Sequence, residues 1–108
     1  MKLIMVIVHT EDSNKLIDRL AKNKVRVTKL SSTGGFLRAG NCTLLIGTEE
    51  DKVEEIIAII EEICHSRKET ITTPAYGFNA GISMPMEVIV GGATIFVVDV
   101  DQFKKIWV

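Results

Sequence analysis

Leu3–Val8, LIMVIV, is an unbroken apolar run with no polar alternation. A short run of this kind fits a strand buried on both faces. Ile95–Val98, IFVV, has the same character near the other end of the chain. Whatever fold the chain adopts must therefore cover two faces of these strands.

The helical material for that cover is limited. Leu16, Ile17, Leu20 and Ala21 recur at helical spacing and predict a first helix over about Ser13–Lys22. A polar Thr10–Ser13 stretch, rich in N-cap residue types, precedes it, and Asn23-Lys24 stops it. Val53, Ile56, Ile57, Ile60, Ile63 and Cys64 keep strict helical spacing and predict a second helix. Thr48 is its expected cap, with Glu49, Glu50 and Asp51 at the positive end of the dipole and His65, Arg67 and Lys68 near the negative end.

Between the helices, Val25–Ser32 and Cys42–Ile46 read as strands. Val25 and Val27 point one way, and Arg26, Thr28 and Leu30 the other. Arg67–Pro85 has no periodicity and is expected to be a long loop, which in a small domain is functional or disordered. Met86–Val90 and Ala93–Val100 predict a hairpin around Gly91-Gly92, since glycine permits positive φ at both central positions. Asp101–Ile106 is expected to form one helical turn.

This order is the split βαβ, ferredoxin-like pattern of an α+β fold, with an extra strand from the C-terminal hairpin. The length of 108 residues suits a single domain over 1–108. In such a fold two helices cover one sheet face, and a face left to water should alternate. Leu3–Val8 and Ile95–Val98 do not alternate. A closed homo-oligomer whose other subunits cover the second face is the economical expectation. The alternative is a monomer whose 67–85 loop folds over the sheet.

Charge and cysteine usage narrow the function. With 25 % charged and 46 % hydrophobic residues the chain is of the soluble globular class. A formal net charge of -1 argues against general nucleic-acid binding, which needs a basic field. A small anionic ligand needs only a local arginine and a few backbone N–H groups. Cys42 and Cys64 lack any CxxC or Cys/His cluster, so no metal site is expected. The opening MKLIMVIVHTED is too short to span a membrane and lacks a cleavage signal, which points to a reduced, cytoplasmic protein without membrane insertion.

Thr33–Asn41, TGGFLRAGN, is the stretch most suggestive of a ligand. Gly35 to Gly40 has the spacing of a phosphate loop, but Asn41-Cys42 stands where Lys-Ser/Thr is required, which excludes NTP hydrolysis of that type. From spacing alone a ligand loop and a flexible connection are equally good readings. Phe36 suits base stacking or a plug against a neighbouring subunit. Asn41 matches the donor–acceptor edge of adenine, yet Asn is also common at turn ends. Arg26 and Thr28 share a strand face and suit a phosphate and a polar base atom, or a solvated stripe. Gly47 marks a close backbone approach or merely the strand end. His9 and His65 have no nucleophile partner, and the acids of the second helix follow a solvated face, so no catalytic site is expected.

NKVRVTKLSSTGGFLRAGNCTLLIG, followed by MPMEVIVGGATIFVVDVDQF, resembles the PstA/DarA group of PII-like cyclic di-AMP receptors. The resemblance runs from the first strand to Phe103. It implies a ferredoxin-like subunit in a homotrimer, one cyclic di-AMP in each cleft between subunits, and neither catalysis nor a cofactor. It implies a ligand site lined by Arg26, Thr28, Gly35, Phe36, Leu37, Asn41, Gly47 and Phe96, and a 67–85 loop that reorders on binding to signal to a partner protein. Lys24 stands where relatives usually carry asparagine, Val25 replaces an aromatic, and the 67–85 loop is a few residues short. The alternatives are a PII-like sensor of ATP or ADP and, further away, a small ferredoxin-fold enzyme.

Overall fold

β1 (Lys2–His9) is the strand on which the rest is built, since it is paired on both edges. In the computed structural model, which describes residues 1–30, 40–74 and 83–107, it is followed by α1 (Thr10–Lys22), β2 (Thr28–Leu30) and β3 (Asn41–Thr48). A 3-10 turn, Glu50–Lys52, leads into α2 (Val53–Cys64), and then come β4 (Arg67–Pro74), β5 (Ser83–Val90) and β6 (Ala93–Asp99). One sheet has the order β2-β3-β1-β6 and is antiparallel throughout; β4 and β5 form a separate two-stranded ribbon. The result is a mixed α+β fold with two helices, compatible with the ferredoxin-like pattern.

Both helices lie on one face of the sheet. Ile4, Val6 and Val8 of β1 and Leu44 and Ile46 of β3 are buried with Leu16 and Leu20 of α1 and Ile56 and Ile60 of α2. Their pairing keeps them in register, Ile4 opposite Ile46 and Val6 opposite Leu44. Full burial of each such side chain stabilises by about 1.5–3 kcal/mol, so this layer holds the subunit together. Cys42 and Cys64 are free thiols within it. Burial pushes the Cys64 thiol up to about 11, with the Asp12 charge adding to the rise and Arg67 opposing it.

The opposite face is also apolar but less covered. Leu3, Met5, Ile7 and Leu45 are half-buried, while Phe96 and Val98 are 51% and 48% exposed. Among the described residues, the double-sided burial expected of Leu3–Val8 is thus complete on one side and partial on the other.

Several local expectations are corrected. Arg67–Pro74 is a strand, because β5 supplies its ladder; of the expected loop, residues 75–82 lie outside those described. Gly91 and Gly92 do take positive φ, +85° and +82°, but they join no hairpin. β5 pairs with β4 and β6 with β1, so the two glycines redirect the chain from ribbon to sheet. The extra hairpin is therefore β4–β5, inserted before the last sheet strand. Thr48 ends β3 as a buried residue, and no side chain caps the 3-10 turn after it. Residues 102–107 are not helical, and Phe103, Ile106 and Trp107 stay exposed, so that segment lacks the packed apolar face a short helix needs.

Candidate functional site

The strand expected over Val25–Ser32 is shorter, since only Thr28–Leu30 pairs with β3 and residues 31 and 32 lie outside those described, but the alternation of exposure holds from Val25 to Thr28. Val25 and Val27 pack against the core, and Arg26, Thr28 and Leu30 are exposed. Thr28 pairs with Leu45, which pairs with Met5, which pairs with Phe96. These four form one row across the face without helices. Thr28 and Phe96 thus sit at opposite ends of it, about 14 Å apart at the usual strand spacing.

Gly47 stands two residues beyond Leu45 on the same face, next to Leu3 in register. A methyl group built on Gly47 meets no atom within 4 Å. Nothing described in this chain needs that glycine to approach, so the space above it is open. Arg26 and Gly47 line one concavity of about 310 Å³, together with Lys24, Lys52 and Glu49. Arg26 and Thr28 also line a second, of about 670 Å³, with Lys24 and Lys105. Lys24, Arg26 and Lys105 line the larger hollow, Lys105 with its ammonium over the Trp107 ring, and among the described residues no carboxylate lines it, so its field favours an anion.

Asn41 lies elsewhere. It opens β3 opposite His9, six residues from Gly47, or about 20 Å along the strand. Exposed, it lines a hollow of about 220 Å³ with Ile7, His9, Gly91, Gly92 and Thr94. Gly40, just before it, has φ +111°, a conformation that glycine takes at little cost, and its carbonyl accepts a 2.7 Å hydrogen bond from the Thr10 N–H. Gly35, Phe36 and Leu37 lie outside the described residues.

One copy therefore brings Arg26, Thr28 and Gly47 together and leaves Asn41 and Phe96 apart from them. Lys105 and Lys52 went unnoticed in the sequence. Lys105 is far along the chain and shares a hollow with Arg26 only through the fold, and Lys52 reads as an ordinary helix-start lysine. Among the described residues no helix is long and apolar enough to cross a membrane, and no group of three His, Cys, Asp or Glu is placed to hold a metal ion.

Comparison with known proteins gives a consistent picture. The model of a cyclic-di-AMP receptor family matches residues 1–106. A crystal structure of a functionally unknown protein from Pediococcus pentosaceus is 45% identical and superposes with a TM-score of 0.75, covering 97% of this chain and 96% of that one.

Proposed function

The chain belongs to the cyclic-di-AMP receptor family, and on that premise we propose that it is a signal-transduction receptor holding one cyclic di-AMP in each cleft between subunits of a homotrimer. The observation that carries this is the scatter of the candidate residues over an apolar face that the helices leave uncovered. Thr28 and Gly47 stand at one end of the sheet, with Arg26 just before β2 in a hollow beside Gly47, Phe96 at the far edge and Asn41 at the other end of β3. A neighbouring copy laid on that face closes the distance and buries Leu3, Met5, Phe96 and Val98 in the same step.

The chemistry divides naturally. Arg26, in a hollow of cations, faces the phosphates, and Thr28 offers a hydroxyl to the base. Asn41 presents the donor–acceptor pair that matches adenine. Phe36 stacks on a base, while Gly35 and Leu37 offer backbone groups. The open space over Gly47 admits the ligand. Phe96 forms an apolar wall. The protein is then a single cytoplasmic domain over 1–108, without catalysis or cofactor, whose 67–85 segment reorders on binding and signals to a partner protein.

Calorimetry tests the ligand. Cyclic di-AMP is expected to give heat near one equivalent per subunit. Arg26→Ala should weaken binding by about tenfold to a hundredfold, and Asn41→Ala by about tenfold, the usual cost of a charged and a neutral hydrogen bond. No heat with cyclic di-AMP but clear heat with ATP or ADP would replace this reading with an adenine-nucleotide sensor.

A further inference from the structure

The start of α1 touches two distant parts of the molecule at once. On one side, the Thr10 N–H donates to the Gly40 carbonyl, the end of the glycine turn, and His9 pairs with Asn41. On the other, Asp12 holds Arg67, the first residue of the β4–β5 ribbon. His9 at the end of β1 and Thr10 and Asp12 in the first turn of α1 thus join the candidate ligand turn to the root of the ribbon.

The Asp12–Arg67 contact is not an ordinary surface pair. The Asp12 side chain is 4% exposed, and both its oxygens are taken by one guanidinium. Arg67 Nη2 lies 3.1 Å from Oδ1 and Nη1 3.4 Å from Oδ2. Nη1 also donates to the His65 carbonyl at 3.3 Å. A carboxylate this buried is tolerated only with a cation held on it. The ribbon's first residue is therefore not free to sit elsewhere. Gly91, at the other strand's exit, leaves room for the fork: a Cβ there would stand 2.8 Å from Nη1.

Arg67 also has a second carboxylate in reach. Its Nε lies 3.3 Å from Oε1 of Glu69, on its own strand. Both contacts are made at once, by different nitrogens of one guanidinium, so opening of the Asp12 contact would leave Arg67 still held on its own strand by Glu69. Coupling between sites requires an element with two such arrangements.

We propose that the Asp12–Arg67 pair is the joint through which the ligand turn sets the position of the β4–β5 ribbon, with Glu69 as the guanidinium's partner when the joint opens. This rests on the receptor reading above. Asp12 and Arg67 act as positioning residues and touch no ligand. A shift of Gly40 on binding moves the Thr10 end of α1, and Asp12 carries that displacement to Arg67.

Hydrogen exchange on the full chain, with and without saturating cyclic di-AMP, tests it beside calorimetry on the same samples. In the wild type, residues 67–74 and 83–90 should change protection by about tenfold or more on binding. Asp12→Asn and Arg67→Gln should keep affinity within about fivefold yet show the same ribbon exchange with and without ligand. Arg67→Lys, which keeps the charge but cannot span both oxygens, should fall between and guards against a variant that fails to fold. A full ligand response in folded Asp12→Asn or Arg67→Gln overturns the joint, and so does loss of binding in Arg67→Gln. Wild-type binding without any ribbon response overturns the joint alone. Absence of wild-type binding removes the receptor reading and the joint with it.

Discussion

The two faces of the four-stranded sheet are built from neighbouring residues of the same strands, yet they have different fates. Ile4, Val6, Val8, Leu44 and Ile46 are sealed beneath two helices. Leu3, Met5, Leu45, Phe96 and Val98 alternate with them and are only half-buried or exposed. Apolar character does not distinguish these two sets, since both are largely aliphatic and the second merely adds Phe96. Only the topology does, by placing both crossover helices on one side. An apolar surface of this extent is usually an interaction site. The first face specifies the subunit, and the second is what the proposed assembly would use.

Leu44 and Leu45 are adjacent on β3 and face opposite ways, so they divide the two roles most cleanly. Leu44→Ala removes a fully buried side chain and is expected to cost about 2–5 kcal/mol at any protein concentration. Leu45→Ala should lower mainly that part of the melting temperature which rises with protein concentration, as mass action requires of an oligomer. Equal, concentration-independent losses for both would mean that the second face serves the subunit alone.

Phe96→Glu attacks the second face at its most exposed large residue. A charge placed in an apolar contact is not repaid by any partner, so the assembly should fall to monomers by analytical ultracentrifugation. The subunit's far-UV spectrum should remain, because Phe96 contributes nothing to the helix-covered core. Cyclic di-AMP binding should vanish with the assembly. An unchanged mass would remove the sheet face from the proposed interface.

The faces also mark where the sequence was legible. Strict spacing in Val53–Cys64 and the alternating exposure of Val25–Thr28 were read directly, because each reflects one local period, although strand pairing there covers only Thr28–Leu30. The uncovered side of β1 was legible as a mismatch between apolar pattern and available helices. Pairing partners were not legible. Gly91-Gly92 satisfies the dihedral demand of a hairpin turn, and nothing local says that its flanking strands will seek β4 and β1 instead. Arg67–Pro74 is threonine-rich and unperiodic, and becomes a strand only because β5 lies beside it. At the candidate site, the shared exposure of Arg26 and Thr28 was legible from alternation. The approach of Lys105 and the Asp12–Arg67 pair depend on long-range closure that carries no local signal.

The weakest test concerns the polar rim of the covered face, where Lys2 of β1 pairs with Asp99 of β6 in register and in a salt bridge. The hydrogen bond from Lys2, followed by its charge, holds the Asp99 carboxyl below the usual carboxylate range. The same bond raises Lys2 above the usual lysine range. A carboxylate whose folded value is depressed contributes stability that is present above its unfolded value, near 4. That contribution is lost as pH falls through the folded value. For Lys2 it is present at neutral pH and lost as pH rises through the raised value. Both groups are solvent-accessible, so the effect should be small beside those of Leu44 and Phe96. Melting temperatures of the wild type and Asp99→Asn should differ slightly at pH 7 and converge as pH is lowered below the ordinary carboxylate range. A gap that widens toward acid would show that Asp99 is held against its own charge, and the rim would then oppose the covered face instead of fastening its edge.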